Sequence, residues 1–151
     1  MTGLVILGLA ALAAAGFGVY RVRTEGRFSP TVAEVAPRPS RDPDPTAWSA
    51  IAAALPGEAL GERATLVQFS SAFCAPCRTT RVVLADVAAT EPGVRHVELD
   101  AELHLDLVRA LDVRRTPTTL VLDSSGRELV RAGGAPRRDQ VLSALPEEAP
   151  R

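Results

Sequence analysis

Cys74 and Cys77 are the only thiols in a chain of 151 residues, and only Ala75 and Pro76 separate them. Two intervening residues let the sulfurs meet in a small disulfide ring. Such a pair can also exchange with a partner: a thiolate attacks a foreign disulfide, a mixed disulfide forms, and the second thiolate resolves it. A zinc site fits poorly. It would have to recruit His96 and His104, whose separation exceeds the usual His-x3-5-His. A c-type haem needs His directly after the second Cys, where Arg78 stands. Two cysteines are also too few for a disulfide-dense secreted scaffold. A structural disulfide or a pair of inert thiols are the remaining readings, and the surrounding elements decide between them.

The elements that position the pair can be read from periodicity. Thr46 to about Leu55 reads as a helix capped by Thr46, with Trp48 and Ile51 inward, and Pro56-Gly57 stops it. ATLVQFSS, residues 64–71, is a strand that ends in small residues just before the thiols. A helix starts at Cys74, presents Val82, Val83, Leu84, Val87 and Ala88, and breaks at Glu91-Pro92-Gly93. Residues 94–99 alternate as a strand, and Asp100 is positioned to cap a helix carrying Leu103, Leu107, Val108 and Leu111. A strand over 118–123, a Ser-Ser-Gly turn, a returning strand over 127–132 and a helix over about 136–145 complete the chain. Strands linked by helices pair parallel and the closing hairpin pairs antiparallel. The expectation is a mixed sheet with helices on both faces. The thiols then lie where a strand hands over to a helix, whose free N–H groups and partial positive charge favour a thiolate. A free cysteine pKa of about 8.5 falls by one to several units in such a place. Cys74 takes most of that benefit, and Cys77, one turn on, points more inward.

LVQFSSAFCAPCR resembles the active-site segment of the thioredoxin family, and VRRTPTTLVLDSSGRELVRAGG resembles its second signature. The resemblance covers about Ala64 to Leu145. It implies a thioredoxin-like three-layer α/β/α sandwich and a thiol-disulfide oxidoreductase whose only redox group is the Cys74-Cys77 disulfide, with no bound cofactor and no metal. It implies a cis Pro117, with the Thr116 backbone pairing with a substrate's main chain beside Phe73, Ala75 and Pro76. Pro before the second Cys resembles the reducing members, so protein disulfides are the expected substrates and a donor such as a thioredoxin reductase the expected electron source. The departures are Phe73 for the usual Trp, Ala75 for Gly, Gln68 for a buried Asp, and His96 for a nearby Lys. Gln cannot accept a proton at neutral pH. Water or His96 is therefore the expected relay for the proton of Cys77, with water preferred. A non-catalytic thioredoxin-fold binding module and an extracytoplasmic dithiol oxidant are the alternatives.

Outside this region the chain offers an anchor and a spacer. Gly3 to Tyr20 is eighteen residues without a charge, about 27 Å as a helix. No positive n-region precedes it as a signal peptide requires, although Ala13-Ala14-Ala15 would serve as a cleavage site. The expectation is one transmembrane helix in residues 1–23, a Pro-rich linker over 24–45, the redox domain over 46–146 and a tail over 147–151. Arg21, Arg23 and Arg27 follow the apolar run, so the positive-inside rule places the domain in the cytoplasm, with the extracytoplasmic side as the alternative. The formal net charge of -1 gives no nucleic-acid footprint. Every basic residue is Arg, with neither Lys nor Asn in the chain. Arg78, Arg81, Arg114 and Arg115 near the thiols therefore read as a solvated face rather than a site for acidic partners.

Overall fold

The computed structural model describes residues 2–24, 26–30 and 46–147. In chain order the elements are α1 (Thr2–Thr24), β1 (Phe28–Pro30), α2 (Ala47–Ala54), β2 (Ala64–Ser70), α3 (Ala75–Thr90), β3 (Val94–Asp100), α4 (Leu105–Ala110), β4 (Thr118–Asp123), β5 (Glu128–Gly133) and α5 (Arg138–Ala144). The sheet order is β1-β5-β4-β2-β3. β2 and β3 run parallel, as the intervening α3 requires, while β4 is antiparallel to β2 and to β5. The mixed sheet matches the expected architecture, but the parallel pairing expected of strands linked by a helix fails across α4: β4 does not pair with β3 and instead joins the free edge of β2 antiparallel to it.

β2 is an interior strand, flanked by β4 and β3, and is buried along its whole length, so both of its faces are committed. Val67 and Phe69 face one core with Ile51, Leu99, Leu107, Leu120 and Leu122. Ala64 and Leu66 face the other, with Leu84 and Val87 of α3, Val121 of β4 and Val141 of α5. Each fully buried aliphatic or aromatic side chain contributes about 1.5–3 kcal/mol relative to exposure, so these two layers hold α3 against the sheet.

Several boundaries differ from the sequence reading. Phe28–Pro30, assigned to the linker, adds an edge strand antiparallel to β5, and its terminal proline suits an edge. Residues 31–45, the rest of that linker, lie outside the described residues, as does the tail after residue 147. Asp100 ends β3 instead of capping α4: its Oδ1 accepts from Glu102 N at 2.8 Å, which makes a turn. α4 therefore begins at Leu105, and Leu103 is left exposed.

The expected membrane span is not shown. α1 has 23 residues, and Val5, Ile6, Leu7, Leu9, Leu12 and Phe17 are exposed on it. Among the described residues, however, no helix is long and apolar enough to cross a membrane.

The β4–β5 turn is locked onto α2. Gly126 has φ +82°, and its carbonyl accepts from Trp48 N at 3.1 Å. A Cβ there would lie 2.4 Å from Trp48 Cβ. Gly126→Ala must therefore strain the backbone and displace α2, and it is expected to destabilise the protein by about 2 kcal/mol or more. A urea denaturation midpoint equal to wild type would contradict this packing.

Candidate active site

The small residues Ser70, Ser71 and Ala72 carry the chain from the end of β2 to the thiols. Cys74 is the N-cap of α3, with φ -94° and ψ 100°, and its Sγ accepts from Cys77 N at 3.1 Å. The Cys74 sulfur thus performs the task usually given to a Ser, Thr or Asp oxygen at an N-cap. Cys74 and Cys77 are joined as a disulfide, with Cα atoms 5.2 Å apart. Pro76 falls in the first turn of α3, where a missing N–H costs nothing. Its carbonyl accepts from Thr80 Oγ1 at 3.0 Å.

The two cysteines differ in access. Cys77 is 1% exposed, whereas Cys74 is half-buried at the surface. Phe73, just before Cys74, is 99% exposed. Both sulfur residues line a cleft of about 360 Å³ together with Ser70, Arg78, Arg81 and Glu98.

The Thr116–Pro117 peptide bond is cis. Ser71 and Thr116 share a hydroxyl–hydroxyl hydrogen bond of 3.1 Å, which ties this loop to the segment before Cys74. The loop is pinned on its other side as well. Pro117 O accepts from Gly134 N at 2.8 Å, Thr118 Oγ1 donates to Arg115 O at 2.7 Å, and Arg115 Nη2 donates to Gly133 O at 2.9 Å. Arg115 lies so close over Gly133 that a Cβ at that glycine would sit 2.4 Å from its Nε.

Beneath the thiols lies a buried polar network. Gln68 is fully buried. Its Nε2 donates to Ser70 Oγ at 2.7 Å and to Cys77 O at 2.9 Å. Its Oε1 is 3.2 Å from His96 Nε2, and since an amide oxygen only accepts, that imidazole nitrogen carries the proton. Ser70 Oγ donates to Glu98 Oε1 at 2.5 Å. Arg81 holds both oxygens of Glu98, through Nε and, at 2.8 Å, through Nη2. Gln68 thus stands between His96 and Cys77, and a neutral amide does not pass a proton. His104, the other histidine, sits at the N-terminus of α4 and caps nothing with its side chain. Among the described residues, no group of three or more His, Cys, Asp or Glu is placed to hold a metal ion.

Sequence reasoning missed Glu98, Ser70, Ser71 and Thr119. Arg81 looked like a free surface cation, but it is the partner of Glu98. The available signal was the alternation of β3, which puts His96 and Glu98 on one face, and parallel pairing sets Glu98 against Gln68. Thr119, paired across the sheet with Gln68 on its other side, is fully buried. Among the described residues, its Oγ1 is the buried side-chain polar atom without a hydrogen-bond partner. Such an orphan costs about 1–3 kcal/mol.

The comparisons with known proteins fit this geometry. The thioredoxin family model matches residues 57–147, and the chain belongs to the thioredoxin family. It is 30% identical over 86 residues to Thioredoxin H4-1 of Oryza sativa subsp. japonica, covering 56% of this chain and 65% of that one. It is 29% identical over 63 residues to Thioredoxin H5 of the same organism, covering 42% of this chain and 47% of that one. The chain thus spans less than two thirds of the length of either relative. A solved structure of a mutant thioredoxin from Halobacterium salinarum superposes with a TM-score of 0.51 at 21% identity, over 59% of this chain and 80% of that one; it speaks to fold alone. The family match spans the segment that holds the close Cys74-Cys77 pair.

The network has a pH signature. Burial pushes His96 below its ordinary value of 6.5; the Glu98 charge opposes this and the Arg81 charge adds to it. Burial pushes Glu98 up, but hydrogen bonds from Arg81 and Ser70, with the Arg81 and His96 charges, bring it below its ordinary value of 4.5. With His96 lowered, the unfolded chain takes the proton first, so stability declines as pH falls below the ordinary imidazole value. With Glu98 lowered, its stabilisation is complete above the ordinary carboxylate value and is lost as pH falls through the folded one. His96→Gln should flatten the first decline and Glu98→Gln the second, as read from urea midpoints along a pH series. Parallel profiles for wild type and both variants would refute these assignments.

Proposed function

We propose that this protein is a membrane-anchored thioredoxin-type reductase of protein disulfides. The observation that carries this reading is the asymmetry of the pair: an accessible Cys74 at the start of α3 and a buried Cys77 one turn along. In the reduced form the free N–H groups of the first turn of α3 stabilise the Cys74 thiolate. That thiolate bonds to one sulfur of the target disulfide and expels the other as a thiolate. Cys77 loses its proton to solvent in the cleft and attacks Cys74 Sγ, releasing the target's second thiolate. The target gains two electrons, and Cys74 and Cys77 lose them as they close their disulfide. His96 does not fit the relay, because its Nε2 is turned to the Gln68 carbonyl.

The target's main chain binds along Thr116 and Pro117, whose loop is tied to the thiol segment through Ser71. The exposed Phe73 ring, with Ala75 and Pro76, supplies the apolar contact. A dithiol donor such as a thioredoxin reductase returns the electrons. Residues 3–20 hold the domain at the cell membrane as a single-pass anchor, with the domain on the cytoplasmic side. The support is the uncharged run in the sequence and the exposed apolar side chains of α1. Residues 24–45 serve as the spacer.

The full chain in detergent should accelerate dithiothreitol-driven insulin reduction, and Cys74→Ser should abolish the acceleration. Cys77→Ser should accumulate a mixed disulfide with its target, whose mass names the partner. No acceleration over the uncatalysed control would favour a non-catalytic binding role, and a potential near about -120 mV rather than about -270 mV would favour an oxidant.

The anchor is tested separately. The full chain should remain with membranes through alkaline carbonate extraction, and a chain lacking residues 3–20 should not. Release of the full chain by carbonate would remove the anchor from the proposal.

A further inference from the structure

The unpartnered hydroxyl of Thr119 lies on the face of the sheet that α3 covers. Antiparallel pairing puts Thr119 opposite Gln68 on β2 and opposite Ala132 on β5, with its side chain on their common face. Two residues along each strand, Leu66 and Val121 belong to the core layer under α3. Neither cross-strand neighbour serves the hydroxyl. Ala132 offers no polar side-chain atom, and the Gln68 amide is engaged by Ser70, Cys77 O and His96. The other buried hydroxyls are satisfied: Thr65 accepts from Gly61 N, Thr80 donates to Pro76 O, Thr118 donates to Arg115 O and Ser70 donates to Glu98. Thr119 stands apart from them in the oxidised protein.

What changes at this place is Cys77. Its carbonyl rests on Gln68, the residue paired with Thr119, and its side chain is buried two turns before Leu84 along the sheet-facing side of α3. In the disulfide its sulfur is a weak acceptor. Reduction by a dithiol donor breaks the S–S bond, delivers two electrons and two protons to Cys74 and Cys77, and oxidises the donor to its own disulfide. The Cys77 sulfur is then a thiol, or a thiolate, and a thiolate is a strong acceptor.

We propose that Thr119 is a redox-linked hydrogen-bond donor: its hydroxyl is unpaired in the disulfide form and donates to the Cys77 sulfur in the dithiol form. The residue thereby favours reduction from both ends of the couple, since the oxidised form carries the unsatisfied hydroxyl and the reduced form satisfies it. The proposal rests on the redox role assigned to Cys74 and Cys77, but its test requires no protein partner.

The test is the disulfide–dithiol equilibrium of the full chain in detergent against a glutathione or dithiothreitol buffer. Thr119→Val removes the hydroxyl and keeps the shape. It should lower the equilibrium constant for reduction about tenfold, a shift of about 30 mV to more negative potential. It should also raise the urea midpoint of the oxidised protein more than that of the reduced one. Thr119→Ser keeps the hydroxyl and should stay near the wild-type potential. Thr119→Ala, should the valine variant fail to fold, must move the potential in the same direction as valine. A wild-type potential in the hydroxyl-free variants, a shift to more positive values, or an equal shift in Thr119→Ser would overturn the proposal. A chain inert toward insulin would still yield these potentials, so failure of the reductase reading is separable from failure of this one.

Discussion

The Gln68 side-chain amide joins the first turn of α3 to the sheet. Its nitrogen holds the carbonyl of Cys77 and the hydroxyl of Ser70, and its oxygen receives His96. A buried amide without partners would cost several kcal/mol, of the order of 2–7, so the site depends on all three contacts. An amide also differs from a carboxylate in that it donates at every pH. The start of α3, and with it the placement of Cys77, is therefore held in a way that protonation does not alter. Titration is displaced to the flanks, onto His96 and onto Glu98 with its clamp of Arg81 and Ser70.

That arrangement separates holding the helix from moving protons. Cys77 sits on a fixed amide, and the cleft it shares with Cys74 opens to solvent beside the ionised Glu98. The pairing of Glu98 with Arg81 keeps a charge at the cleft without leaving it uncompensated, which a half-buried carboxylate requires. The outer surface is of another kind. Phe73 stands free beside Cys74, while the cis-proline loop is tied down by Ser71, Gly134 and Arg115.

The two core layers explain why the site can be this polar. β2 gives Val67 and Phe69 to one layer and Ala64 and Leu66 to the other, and these fasten the strand before Gln68 and Ser70 are reached. The polar network occupies only the end of the strand nearest the thiols. Polar residues at that end cost little of the fold's stability, since the apolar part of β2 is complete without them.

The mixed character of the sheet, the helix that begins at the thiols and the closeness of Cys74 to Cys77 were legible in the linear chain, because period-two and helical apolar patterns, Pro-Gly breaks and a two-residue gap between thiols are local signals; the order of the strands was not, since the parallel pairing expected across α4 gives way to β4 running antiparallel to β2. The limits of α4 and the strand at Phe28–Pro30 were not legible either. A three-residue edge strand has no periodicity of its own and forms only because β5 offers an unpaired edge, and Asp100 closes a turn as readily as it caps a helix. The partners of Gln68 were equally hidden: they come from β3, from α3 and from its own strand, up to 28 residues away. The same holds for Arg81, a surface charge in the sequence and a clamp in the fold, and for Thr119, one threonine among several until its neighbours Gln68 and Ala132 deny it a bond. By itself, the chain determined which chemistry was available, since that depends on residue type and short spacing. Only the tertiary structure decided which polar groups surround the sulfurs, since hydrogen bonds across a sheet depend on register, and register is set by all the strands together.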